Sequence, residues 1–168
     1  MAESVLVAGV GNVFLGDDGF GVEVARRMAA SSLPPGVRVA DFGIRAVHLA
    51  YEILERPAGL TILVDATRRG GPPGTVYLIE PDLGRLSEEE WGQADAHAMR
   101  PEAVFAWLSR LGAAPGRLLL VGCEPERLDE EQGLSSRVAE AVDRAIDLIL
   151  DVVARGTAPA ATPGVPPA

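Results

Sequence analysis

The chain has 168 residues, 48% of them hydrophobic and 23% charged, which suits one domain with a real core and leaves too little for two. A net charge of −9 argues against a nucleic-acid groove, because phosphates are bound by clustered cations. Cys123 is the only cysteine, so an intrachain disulfide and a multi-cysteine zinc site are excluded and a reducing compartment is expected. Met1-Ala2-Glu3-Ser4 carries no basic n-region, so no signal peptide is expected, and every apolar run is far short of the ~20 residues that span a bilayer. These features lead to the expectation of a cytoplasmic, monomeric protein with neither a membrane nor a nucleic acid as partner.

Val5 to Val10 is a continuous apolar run closed by a glycine-rich turn, as in a strand buried on both faces. Val22, Ala25, Met28 and Ala29 recur at helical spacing, predicting a helix from about Gly21 to Ala30, broken by Pro34-Pro35-Gly36. Val37 to Phe42 reads as a second strand. Val47, Ala50, Tyr51 and Leu54 give the apolar stripe of a second helix that stops before Pro57. Leu60 to Val64 is a third buried strand ending at Asp65, and Thr75 to Ile79 a fourth, after a loop rich in glycine and proline. Ser87 with Glu88, Glu89 and Glu90 resembles a capping box, and Pro101 suits the first turn of a helix with Val104, Trp107, Leu108 and Leu111 on its apolar side. Arg117 to Cys123 is a fifth strand. A last helix is predicted over roughly Ser135 to Ala154, with Val138, Val142, Ile146, Ile149 and Val153 along one side.

Strands alternating with helices predict an α/β fold: a three-layer α/β/α arrangement around a mostly parallel, twisted sheet of about five strands, with helices on both faces. A single domain is expected over residues 1–155. Residues 156–168 hold almost only Gly, Thr, Ala, Pro and Val without periodicity, so a disordered tail is expected there. Ligands of such sheets gather outside the carboxyl ends of the strands, which directs attention to Gly11–Gly21, Asp41–Ala46, Asp65–Gly74 and Glu124–Gly133.

In the first of these segments, a dinucleotide fingerprint would need glycine where Phe14 stands, and two carboxylates occupy the place where a pyrophosphate would meet the helix. Asp17 and Asp18 suit a cation instead, although acidic residues are also favoured as helix caps; one of the two can cap while the other faces the cleft. Asp65, directly after a buried strand, is either a turn-forming residue or a ligand at the sheet edge, and the ends of the first and third strands can be neighbours in this fold class. His48 lies on the second helix, a surface or packing position. His97 lies in a loop, and with the two acids it completes an oxygen and nitrogen trio suited to borderline metals, with coordination positions left open. Cys123, at the end of a buried strand, reads as inert. The Arg68-Arg69 doublet is either a substrate contact or, by the usual exposure of loop arginines, a solvated turn.

Taken in order, these segments resemble the hydrogenase maturation endopeptidases. Gly9-Val10-Gly11-Asn12 with Gly16-Asp17-Asp18-Gly19-Phe20-Gly21-Val22 is similar to that family's N-terminal signature. Asp41-Phe42-Gly43-Ile44-Arg45, Leu63-Val64-Asp65-Ala66 and Asp95-Ala96-His97 are similar to its second-strand, third-strand and histidine-loop motifs. Val121-Gly122-Cys123-Glu124-Pro125, followed by Gly133-Leu134-Ser135, is similar to its last strand and the start of its final helix. The resemblance spans about residues 4 to 153. It implies that Asp18, Asp65 and His97 are metal-contacting, that Asp18 and Asp65 are the catalytic acids, and that Asn12, Asp41 and Gly43 contact substrate. Two departures stand out: Asp18 replaces the glutamate of some relatives, and Phe42 occupies a position that is often glycine.

The resemblance also implies the reaction. The partner would be the nickel–iron hydrogenase large-subunit precursor, whose C-terminal extension is removed once nickel is in place. The nickel arrives in the substrate, no permanently bound metal is expected, and the same site is open to a divalent cation. Two other classes fit parts of the pattern. A nickel-checking chaperone would use the same trio without cutting, and a nucleotide-binding regulatory domain would use the glycine turn but is disfavoured by Phe14 and the acidic pair.

Overall fold

The computed structural model describes residues 4–81, 108, 110–112 and 116–156. Five strands, β1 (Val5–Val10), β2 (Val37–Gly43), β3 (Leu60–Ala66), β4 (Val76–Ile79) and β5 (Arg117–Cys123), form one sheet in the order β2-β1-β3-β5-β4. All neighbours pair in parallel except β4 with β5. Three helices are described: α1 (Phe20–Ala29), α2 (Ala46–Glu55) and α3 (Ser136–Arg155). No helix among the described residues is long and apolar enough to cross a membrane.

Alternation along the central strands builds two cores. Val5 and Val7, Leu60, Ile62 and Val64, and Leu119 and Val121 pack on one side against Phe20, Val24 and Met28 of α1 and Val138, Val142 and Ile149 of α3. Leu6, Ala8, Val10, Leu63, Leu118 and Leu120 face the other side, against Leu49, Ala50 and Ile53 of α2 and Leu108. Strands buried on both faces have no polar positions to spare, which is why their sequences read as unbroken apolar runs. The expected α/β sandwich is therefore the observed one.

The α2 stripe sits differently from the one expected. Leu49, Ala50 and Ile53 are its buried residues, whereas Tyr51 and Leu54 are 45% and 40% exposed. Each lies one residue, about 100° of helix rotation, past a buried position, so the face toward the sheet leaves both on the flank. The helix of α1 begins one residue earlier than predicted and presses hard on the sheet: a Cβ on Gly21 would lie 1.9 Å from the Val64 carbonyl oxygen and 2.5 Å from that of Val10. Only glycine permits this approach.

The antiparallel β4 follows from chain length. Residues 67–75 leave the carboxyl end of β3, pass over the end of β5 and return along its far edge. So short a connection holds no crossover helix, and a parallel return needs a dozen residues or more. The expected helices near Ser87 and Pro101, His97 and the tail beyond Gly156 lie outside the described residues.

Candidate active site

Strand β1 lies between β2 and β3, so the chain leaves β1 in one direction for β2 and returns on the other side for β3. That reversal, between β1 and β3, is the switch point outside which open α/β sheets bind ligands. Asp18 comes to it from the loop after β1 and Asp65 from the end of β3.

Asp18 lies in a single 3-10 turn, Gly16–Gly19. Its Oδ2 accepts the Asn12 main-chain N–H at 2.8 Å. Burial raises its pKa above the ordinary 3.8, and the hydrogen bond from Asn12 only partly offsets this. Asp65 is 2% exposed, with its Oδ1 2.8 Å from the Ala66 main-chain nitrogen that donates to it. The two acids converge on Gly11. A Cβ there would stand 1.9 Å from the Asp18 carbonyl oxygen and 3.4 Å from Asp65 Oδ1, and the residue has a φ of +136°. A side chain at position 11 would push the first loop away from β3, so this glycine is what lets the Asp18 main chain and the Asp65 carboxylate approach the same corner.

The second-strand motif borders the same corner. Gly9 pairs with Asp41 and Val10 with Gly43, leaving Phe42 as the extra residue of a bulge. Gly11 donates its N–H to the Gly43 carbonyl at 2.9 Å, and Asp41 Oδ1 accepts the Gly43 N–H at 2.8 Å. Asn12 is turned inward on its own loop, its Oδ1 accepting the Phe14 N–H at 2.9 Å. Asn12, Asp41 and Gly43 thus lie beside the acids, joined to Gly11 or Asp18 by one hydrogen bond each or through a shared turn. His97 lies outside the described residues. His48 is exposed on α2.

Asp17 is turned the other way. It is completely buried, and its carboxylate accepts the main-chain N–H groups of Glu126 at 2.8 Å, Arg127 at 2.9 Å and Ser135 at 2.7 Å, and the Ser135 hydroxyl at 2.8 Å. Burial opposes its charge, yet the hydrogen bonds from Arg127, Ser135 and Glu126 together hold its pKa below 3.8. Instead of capping α1, it secures the residue before α3 and so ties the first loop to the last. Burial, reinforced by the charge of Asp17, pushes the Cys123 thiol up to about 12, in keeping with an inert cysteine.

Glu124 was given no role by the sequence. Only 4% exposed, it accepts N–H groups from Arg69 at 2.9 Å and Gly71 at 2.7 Å, and the Tyr77 hydroxyl at 3.3 Å. Its position directly after a buried strand, the feature that singled out Asp65, was the available signal. A separate groove of about 320 Å³, lined among others by Val13, Val22, Arg26, Gly133 and Leu134, contains neither Asp18 nor Asp65.

The fold and the two aspartates define a doubly wound α/β protein with acidic residues at its switch point. A family model described as hydrogenase maturation protease matches residues 22–152. The hydrogenase expression/formation protein HupD of Rhodobacter capsulatus is 36% identical over 153 residues, 86% of this chain and 68% of that protein. The crystal structure of hydrogenase 2 maturation peptidase from a Thaumarchaeota archaeon superposes with a TM-score of 0.67 at 33% identity, covering 88% of this chain and 96% of the other. The hydrogenase maturating endopeptidase HybD of Escherichia coli gives 0.70 at 26% identity over 90% and 93%. The chain belongs to the hydrogenase maturation protease family, and is thereby a peptidase.

Proposed function

We propose that this protein hydrolyses one peptide bond of the nickel–iron hydrogenase large-subunit precursor, releasing its C-terminal extension after nickel insertion. The observation that carries the proposal is the approach of the Asp18 main chain and the Asp65 carboxylate to Gly11, on the switch point of a chain that belongs to this family. The nickel is part of the substrate. Two carboxylates, with the imidazole of His97 as third donor, suit a divalent ion that retains ligands of its own.

In this reading the chain's contribution is placement. Asp18 and Asp65 hold the metallated end of the precursor so that the scissile carbonyl and a water meet at the cleft. Positioning of this kind supplies at most about 7–11 kcal/mol of a barrier. A carboxylate of the pair takes the proton from the attacking water. Asn12, Asp41 and Gly43 border the path of the substrate backbone.

The test is mass spectrometry of a nickel-loaded precursor incubated with the protein. Loss of the C-terminal extension is expected, with Asp65→Asn or His97→Ala slowing it by about 100-fold or more while circular dichroism stays native. A nickel-free precursor should remain uncut. An unchanged mass with the verified nickel-loaded precursor would replace the peptidase by a nickel-checking chaperone, and normal processing by either variant would remove that residue from the trio.

A further inference from the structure

The loop between β3 and β4 carries the exposed Arg68 and Arg69, which begin three residues beyond Asp65. Their setting differs from that of a solvated turn in two ways. The first is rigidity. The buried Glu124 carboxylate grips the Arg69 N–H with both oxygens, at 2.9 and 3.1 Å, and the Gly71 N–H at 2.7 Å. Thr67 N–H donates to the Cys123 carbonyl at 2.9 Å, and Gly74 N–H to that of Glu124 at 2.9 Å. Burying a carboxylate costs free energy unless it is fully hydrogen-bonded, and here all its main-chain bonds go into holding this one loop.

The second is charge. In a chain of net charge −9, Arg27, Arg38, Arg56, Arg117, Arg127 and Arg155 are each paired with a carboxylate. Arg45 and Arg144 donate to main-chain carbonyls. Arg68 and Arg69, like Arg26 and Arg137, have no ion pair among the described residues, although acidic side chains outnumber basic ones; Arg26 and Arg137 lie apart on helices, whereas Arg68 and Arg69 are adjacent on one loop. Two adjacent, exposed guanidinium groups on a braced loop, three and four residues past Asp65 in the chain, offer a fork of donors to a carboxylate of the substrate.

We propose that Arg68 and Arg69 dock a carboxylate of the polypeptide substrate, either the terminal carboxylate of its C-terminal extension or an acidic side chain beside the cut. The inference rests on the function proposed above and adds the group that the substrate must present. Pre-ordering by Glu124 lowers the entropy lost on docking, and the guanidinium pair offsets the repulsion from Asp18 and Asp65.

The test is steady-state processing of the nickel-loaded precursor by the wild type, by R68A/R69A and by R68K/R69K, with binding of the same precursor followed by titration calorimetry. For R68A/R69A an increase in KM and Kd of about tenfold is expected from two lost charge contacts, with kcat moving little and partial recovery in the lysine variant. Wild-type KM and Kd should rise between roughly 50 and 300 mM salt, and those of R68A/R69A should stay nearly flat. Repeating the comparison on a C-terminally amidated precursor separates the sources. If arginine dependence vanishes, the terminal carboxylate is the ligand, and if it persists, an acidic side chain is. Unchanged KM, Kd and salt dependence in R68A/R69A would overturn the proposal. A wild type that binds without cutting would sink the peptidase reading alone, because Kd and its salt dependence would still decide the docking. Absence of wild-type binding would overturn both.

Discussion

Burial acts in the same direction on Asp17 and Asp18, and hydrogen bonding separates them. Three of the four bonds to Asp17 come from main-chain N–H groups, which can only donate, and the fourth from the Ser135 hydroxyl, so its charge is favoured in the folded protein. Asp18 accepts a bond from the Asn12 N–H that does not outweigh its burial, and its charge is disfavoured. The consequences for stability have opposite signs. With a folded pKa below 3.8, Asp17 contributes stability that is present above the ordinary carboxylate range and is lost as pH falls through its folded value. With a folded pKa above 3.8, Asp18 favours the folded state below that value, and this contribution is lost as pH rises through its folded value. Asp18→Asn keeps an acceptor for the Asn12 N–H and removes the buried charge. It should therefore melt at a higher temperature than the wild type at neutral pH, by a margin that shrinks toward pH 3, while processing is lost. Thermal melts across that range check it, and a lower neutral-pH melting temperature would contradict the assignment.

Among the elements, α1 and the segment leading into it carry the tightest constraint. The helix can bring Phe20, Val24 and Met28 into the core and Asp18 to the cleft only if its first turn rests directly on the strand ends. Gly21→Ala would place a methyl carbon inside the contact distance of two main-chain carbonyls that no rotamer change can move. A loss of about 3 kcal/mol or more is expected, at the upper end for overpacking, measurable by urea unfolding. Gly to Ala changes within a helix normally stabilise, so an unchanged or higher stability would show that helix and sheet are not this close. The same element scale explains what the sequence made plain and what it hid. Apolar runs such as Leu60–Val64 announced buried strands, and the spacing of Val138, Val142 and Ile149 announced α3. The rotation of α2 stayed hidden, because Tyr51 and Leu54 are as apolar as the residues that face the sheet. Periodicity locates a stripe only to within one residue when its flanks are also hydrophobic.

Across the whole molecule, Cys123 reports on cooperativity. It is fully buried in the core shared by β5 and α3, and its thiol is held near 12, so neither access nor ionisation permits reaction while the sheet is closed. Alkylation at neutral pH is expected to follow global unfolding, with protection equal to the stability from urea titration. Faster labelling would reveal a local opening of β5, the strand that also supports Glu124 and the loops of the site.

The sequence by itself determined the two-sided burial of the central strands, the α/β class, and the acids at the strand ends, because these follow from local patterns of apolarity and turn chemistry. It also singled out Asp65 and the Asp17–Asp18 pair by position. Only the tertiary structure decided which of two adjacent aspartates faces the cleft, since Asp17 is committed by donors more than a hundred residues away in the chain. It likewise decided the strand order that puts β1 beside β3, the antiparallel return of β4, and the use of Glu124 to brace the Arg68–Arg69 loop. Each of these is a contact between distant segments, and a hydrogen-bond partner on another loop leaves no periodic trace in the chain that receives it.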